Sequence, residues 1–234
     1  MICAGILAGG IGSRVKGKKI PKQFVMVNNI PMIILTIRKF LGINEIDKII
    51  VAINSQWDDY FQNLLKKYDM NLERIITING GSTRFESLIN IAKKAYELDE
   101  NSVVISHDCA RPFVSERVII ENIKKVSVNF ATTTSIRTID TIITCNEDFE
   151  SESVPNRDNI LLDQGPQAFY SKTFLNLVAN IPKYKASDYI EVGKLYLDNN
   201  LKVKIILGEE TNFKITTDID FELANFLIEK GIIK

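Results

Sequence analysis

Leu7-Ala8-Gly9-Gly10-Ile11-Gly12-Ser13-Arg14, followed by Pro21-Lys22-Gln23-Phe24, is the stretch that decides how this chain is read. It lies directly behind a short apolar run, Ile2 to Leu7, which reads as a buried first strand. Three glycines let the backbone turn sharply and bring its N–H groups close to an anion. From Arg14 to Lys22 there are five cations in nine residues: Arg14, Lys16, Lys18, Lys19 and Lys22. A solvated basic loop would explain the charges alone. Backbone donors plus flanking cations, at the end of a first strand, instead describe a triphosphate site. Two better-known phosphate loops are excluded. A dinucleotide-binding turn needs a third glycine where Gly10-Ile11-Gly12-Ser13-Arg14-Val15 has valine, and a P-loop needs a G-K-[ST] tripeptide that the chain lacks.

Working outward, short β-branched runs alternate with amphipathic stretches. Strands are expected at Ile2–Leu7, Lys48–Ile53, Arg74–Ile78, Ser102–Ser106, Ala131–Ile136 and Lys202–Leu207. Helices are expected at Pro31–Leu41, Gln56–Tyr68, Thr83–Leu98, Ser115–Val128, Ser187–Leu197 and Asp218–Lys230, with Pro31 and Ser115 as start signals. This alternation predicts an α/β fold, a doubly wound, mostly parallel Rossmann-like sheet in a single domain. Ligands then sit outside the carboxyl ends of the strands, where the glycine turn lies. Residues 138–165 break the rhythm: they lack a helical period and carry an acidic stretch and Pro155-Asn156-Arg157. A loop that long is unusual inside a compact domain, so a projecting β-arm is expected there. A two-stranded arm is marginally stable alone, which predicts a homodimer that buries it.

Composition narrows the classes. At 234 residues, 45% hydrophobic and 25% charged, the chain suits one soluble globular domain. Lys+Arg equals Asp+Glu at 29 each, which gives no support to a general nucleic-acid-binding surface. The N-terminal apolar run breaks at Gly9-Gly10 without a basic flank, so it does not read as a signal peptide, and no apolar stretch is long enough to span a bilayer. Cys3, Cys109 and Cys145 are scattered, without metal-ligand spacing, as expected of free thiols in the cytoplasm.

Three further blocks carry chemistry. Ser106-His107-Asp108-Cys109-Ala110-Arg111-Pro112-Phe113 follows an expected strand, which lands Asp108 on the edge that holds the glycine loop. A carboxylate there can hold Mg²⁺ against nucleotide phosphates; the plain alternative is a turn aspartate satisfying backbone donors. His107 is the only histidine, but nucleotidyl transfer needs mainly positioning and charge stabilisation, so it reads as structural. Arg111 reads as a partner for a nearby carboxylate or a buttress of its loop. Gly80-Gly81-Ser82-Thr83-Arg84-Phe85-Glu86-Ser87 is a second glycine turn entering a helix, weak on its own because Gly-Gly is a common turn. In Asn212-Phe213-Lys214-Ile215-Thr216-Thr217, Lys214 alternates with apolar residues as in a strand, and would then point to one face.

Taken in order, these blocks resemble the nucleotidyltransferases that activate sugar or alditol phosphates. The proline-lysine-glutamine element points to the cytidylyltransferase family that holds 2-C-methyl-D-erythritol 4-phosphate and ribitol-5-phosphate cytidylyltransferases. The anchors span the chain: LAGGIGSR, PKQF, GGSTRFES, HDCARPF, the Arg157 region, PQAF and NFKITT. The ribitol branch is the more similar, in LAGGIGSR with an eight-residue step from Arg14 to Lys22, in Gln56-Trp57, in His107-Asp108 through Arg111-Pro112-Phe113 with Glu121-Asn122-Ile123 following, and in Ile139-Asp140-Thr141-Ile142; the methylerythritol branch usually shows LAAGxGxR and HDAARP. The resemblance implies CTP and an alditol phosphate as substrates, with ribitol 5-phosphate as acceptor and CDP-ribitol and pyrophosphate as products. The alternatives are transfer to 2-C-methyl-D-erythritol 4-phosphate, and a catalytically silent nucleotide-binding homologue. Residue by residue, it implies catalytic roles for Arg14, Lys22, Lys214 and Arg157, and Mg²⁺ at Asp108. It implies substrate contacts at Leu7, Ala8, Gly9, Gly10, Gly12, Gly80, Gly81, Arg84, Ser87 and Ser187. Arg157 is implied to reach the site of a dimer partner. Two departures stand out: Gly165-Pro166-Gln167 where the family commonly has Thr-Pro-Gln, and Ser187-Asp188 where the methylerythritol branch has Thr-Asp.

Overall fold

In the computed structural model, which describes residues 1–10, 20–182 and 189–233, the first apolar run is β1 (Ile2–Ala8). Its residues are buried on both faces, as in a strand covered by helices on either side. The other long strands are β4 (Lys48–Ile53), β5 (Ile75–Asn79), β6 (Val103–Asp108), β7 (Phe130–Arg137), β10 (Leu161–Tyr170) and β11 (Lys202–Leu207). Between them come a small hairpin, β2 (Met26–Val27) with β3 (Ile30–Pro31), and an outlying pair, β8 (Thr144–Cys145) with β9 (Ser151–Ser153). The helices are α1 (Met32–Leu41), α2 (Asp58–Lys67), α3 (Arg84–Leu98), α4 (Glu116–Lys125), α5 (Ser171–Ala179), α6 (Val192–Asp198) and α7 (Asp218–Glu229).

The seven long strands form one sheet in the order β11-β7-β10-β6-β1-β4-β5. All pairings are parallel except those of β10, which runs against both β6 and β7. The sheet is therefore mostly parallel, as the alternating pattern predicts. Alternate residues send Ile49, Val51 and Ile53 of β4 into one core with α1, α2 and α4, and Ile50 and Ala52 into the other with α3, α5 and α6. A third cluster seats α7 against Val25, Val27, Met32 and Phe113. Successive crossovers run outward from β1 to β5, then return to β6 on the other side of β1. The carboxyl ends of β1 and β6 thus flank the switch point where such sheets bind ligands.

Several boundaries differ from expectation. α4 stops at Lys125, because Val126 is extended and Ser127 bridges to Phe130. Helix α6 begins at Val192, whereas the expected start, Ser187, lies outside the described residues. Leu161–Tyr170 and Ser171–Ala179 were not expected as elements. Gly165-Pro166 looks like an interruption, yet the ladder absorbs it as a register irregularity between Asp163 and Gln167. The 138–165 segment holds the β8–β9 pair with Ile139 and Phe149 exposed, while its last five residues run in the central sheet. Among the described residues, no helix is long and apolar enough to cross a membrane.

Candidate active site

An open cavity of about 360 Å³ lies at the carboxyl ends of β1 and β6. Ten of the residues singled out in the sequence line it: Leu7, Ala8, Gly9, Gly10, Lys22, Gly81, Arg84, Ser87, Asp108 and Lys214. Gly80 stands beside Gly9, where a side chain on Gly80 would come within 3.3 Å of the Gly9 Cα. Gly12, Arg14 and Ser187 lie outside the described residues.

Each wall follows from local chemistry. The Pro-Lys-Gln-Phe element is a single 3₁₀ turn over Lys22–Phe24. Gln23 Nε2 donates to the Ala8 carbonyl at 2.8 Å, tying the turn to the end of β1, and Phe24 packs its ring against Trp57 and Tyr60. Lys22 is thereby held at the mouth, where Nζ donates to the Ile215 carbonyl at 2.7 Å. The second glycine turn is fixed by α3. Thr83 caps that helix by accepting from Glu86 N–H, and Ser87 Oγ accepts from Gly81 N–H at 2.9 Å while donating to the Thr83 carbonyl. A Cβ on Gly81 would fall 2.9 Å from backbone atoms of Glu86 and Ser87, so the turn closes only with glycine there.

Lys214 arrives on an extended loop rather than the expected strand, since residues 212–217 pair with no sheet. One backbone bond, from Ile215 N–H to the Ala110 carbonyl, aligns that loop with the segment after β6. Lys214 Nζ then donates to Asp108 Oδ2 at 2.7 Å, and Arg84 Nε donates to Asp108 Oδ1 at 3.0 Å. Burial by itself would raise the Asp108 pKa, but the adjacent Arg84 and Lys214 charges outweigh it and hold the carboxyl well below the usual carboxylate range. Asp108 is therefore an anion at any pH near neutrality. Arg84 also reaches the other way, donating from Nη1 to the Ile190 carbonyl at 2.7 Å and lying 3.2 Å from Glu191 Oε2. Burial pushes the Glu191 carboxyl up to about 7; Arg84 opposes that rise, while Asp163 and Asp108 add to it.

The site thus brings a fixed carboxylate, two ammonium groups and two glycine turns to one switch point. Comparison with known proteins decides what that assembly belongs to. The sequence model of 2-C-methyl-D-erythritol 4-phosphate cytidylyltransferase matches residues 2–230. The chain belongs to this family. Solved structures agree over the full length. 4-Diphosphocytidyl-2C-methyl-D-erythritol synthase from Anaerococcus prevotii is 31% identical, with 97% of this chain and 96% of that chain covered and a TM-score of 0.79. 2-C-Methyl-D-erythritol 4-phosphate cytidylyltransferase from Francisella tularensis is 29% identical, with 96% and 98% covered and a TM-score of 0.78. The Thermus thermophilus enzyme, at 22% identity and a TM-score of 0.73, shares the fold.

Against that cytidylyltransferase family, four residues need their own account. His107 is fully enclosed and packs on Phe40; its Nε2–H donates to the Arg111 carbonyl, which leaves Nδ1 without a partner. Burial lowers its pKa to about 4, so the ring is neutral and structural, as its expected role requires. Arg111 buttresses its loop through carbonyls, giving Nη1 to Asn212 and Nη2 to Asp163. Gly165, in place of the family threonine, has φ +65°, and a Cβ there would face His107 Nδ1 at 3.7 Å. Within the chain Arg157 is not in the cavity: its Nη1 donates to the Ile139 carbonyl on the arm. Sequence reasoning gave no role to Gln23 or Glu191. Gln23 stands inside the quoted Pro-Lys-Gln-Phe element, but nothing around Glu191 in the sequence marks it.

Proposed function

We propose that the protein transfers a cytidylyl group from CTP to ribitol 5-phosphate, giving CDP-ribitol and pyrophosphate. The observation that carries the nucleotide half is the ionised Asp108 facing Lys22, Lys214 and the Gly9-Gly10 turn across one cavity. The ribitol acceptor is supported by the branch-like motifs LAGGIGSR, Gln56-Trp57 and Ile139-Asp140-Thr141-Ile142. Transfer to 2-C-methyl-D-erythritol 4-phosphate is the second reading, favoured by the family match and by the two solved structures nearest 30% identity.

A phosphate oxygen of the acceptor attacks the α-phosphorus of CTP in line, and the bond to the bridging oxygen breaks as pyrophosphate leaves. The Gly9-Gly10 turn offers close backbone approach to the triphosphate, and the wall at Gly81 and Ser87, with Gly80 packed behind Gly9, suits the cytosine edge. Lys22 and Arg14 neutralise charge on the leaving pyrophosphate, and Lys214 holds the acceptor phosphate. Asp108 suits Mg²⁺: it is a charged carboxylate on the wall of the cavity, held ionised by its neighbours. Magnesium commonly takes one or two carboxylates and completes its shell with phosphate oxygens and water. Bound there, it would neutralise triphosphate charge and polarise the α-phosphoryl group. Arg157 fits as a bidentate clamp on the acceptor phosphate if a homodimer brings it from the partner's arm.

Pyrophosphate release tests the reading, with CTP and Mg²⁺ supplied and the two acceptors compared side by side. Turnover with ribitol 5-phosphate supports it, and turnover with only methylerythritol phosphate transfers the protein to the second reading. CTP binding without turnover on either makes it a silent homologue.

A further inference from the structure

Asp108 has two carboxylate oxygens, and both are taken: Oδ1 by Arg84 Nε and Oδ2 by Lys214 Nζ. A divalent cation arriving with the triphosphate is repelled by both of these charges and competes with them for the carboxylate. Lys214 is 41% exposed and can turn into the cavity toward phosphate. Arg84 cannot leave as freely. Its side chain is 26% exposed and is pinned by the Ile190 carbonyl, so a guanidinium driven off Asp108 would be a partly buried charge without a hydrogen-bonded counter-ion.

A second carboxyl group is already in place. Glu191 Oε2 lies 3.2 Å from Arg84 Nη1, yet it is shut off from solvent and accepts no hydrogen bond, although the Glu191 side chain as a whole is 34% exposed. Arg84 therefore stands between two carboxylates and is hydrogen-bonded to only one of them. From this geometry we infer that Glu191 is the alternate seat for Arg84: when a divalent cation takes Asp108, the guanidinium shifts its ion pair to Glu191. Glu191 is then a positioning residue that tunes metal affinity at Asp108 without touching the metal. The inference rests on the proposed role of Asp108 as metal ligand.

The test is a titration of the full-length protein with Mn²⁺, with CTP present and no acceptor, reading free Mn²⁺ by electron paramagnetic resonance. Glu191→Gln should weaken Mn²⁺ binding by about 10- to 100-fold, the usual penalty for losing a partner behind a ligand. CTP affinity without metal should not change. Arg84→Gln removes the competing cation and should tighten Mn²⁺ binding, and adding Glu191→Gln to it should have no further effect. Wild-type Mn²⁺ affinity in Glu191→Gln, with binding abolished in Asp108→Asn, overturns the inference and leaves the metal site standing. So does an equal loss from Glu191→Gln with and without Arg84. Binding that ignores Asp108→Asn removes the metal reading and the inference together.

Discussion

Because the chain has a single histidine, one pH dependence can be separated from all the others. His107 is 1% exposed, and burial lowers its pKa from 6.5 to about 4. The unfolded chain takes up a proton near pH 6.5 that the native protein refuses. Stability from this group is therefore complete above that pH and drains away as the pH falls from 6.5 toward 4. The gap corresponds to about 3 kcal/mol in full, and to roughly 2.5 kcal/mol by pH 4.5. Glu191 works against it in the same window: its raised pKa means that acidification through 7 adds native stability, so the wild-type curve alone mixes the two. The informative quantity is the difference between wild type and His107→Gln, whose amide can still donate to the Arg111 carbonyl but cannot titrate. Urea denaturation in steps from neutral pH to about 4.5 should show the wild-type advantage shrinking by roughly 2.5 kcal/mol. A difference that stays flat across that range would refute the neutral, enclosed imidazole.

Other outcomes follow from the same geometry. Lys22→Ala or Arg14→Ala should lower turnover by about 10² or more with the fold intact, as measured by pyrophosphate release and circular dichroism; near-normal rates in both would sink the triphosphate assignment. Activity should vanish with a chelator and return with Mg²⁺, and full activity in EDTA would leave Asp108 needing another role. Arg157→Ala should keep CTP affinity and lose affinity for the alditol phosphate, and mixing it with Lys22→Ala should restore activity in exchanged dimers; no rescue despite proven exchange rules out a shared site. Gly165→Ala places a Cβ in left-handed backbone and should cost about 1 kcal/mol in a thermal melt, whereas an unchanged melting temperature contradicts the conformation.

Much of this was legible because local signals and global topology agree. The apolar run before Gly9-Gly10 is β1, Thr83 and Ser115 cap the helices they precede, and Asp108 ends a parallel strand beside β1. What the sequence hid is non-local. β10 is masked by Gly165-Pro166, a pair that reads as punctuation but is held by an irregular ladder and by Asn212 Nδ2 donating to the Gly165 carbonyl. Lys214 owes its place to bonds across more than a hundred residues, from Ile215 to the Ala110 carbonyl and from the Lys22 and Arg111 side chains to its loop, not to strand alternation. Glu191 is next to Arg84 only because α6 packs on the face that α3 also covers, and no local pattern reports such a meeting.

The order of the strands also bears on how the chain is made. Residues 2–108 supply β5, β4, β1 and β6, a contiguous half-sheet that can form while the rest is still being synthesised. Its outer edge is β6, where Val103, Val104 and Ile105 stay uncovered until Ala168, Phe169 and Tyr170 of β10 pair with them. An apolar, flat edge left open is a template for another chain's strand. A chain cut short between β6 and β10 would keep that edge open, with Asp108 at its tip.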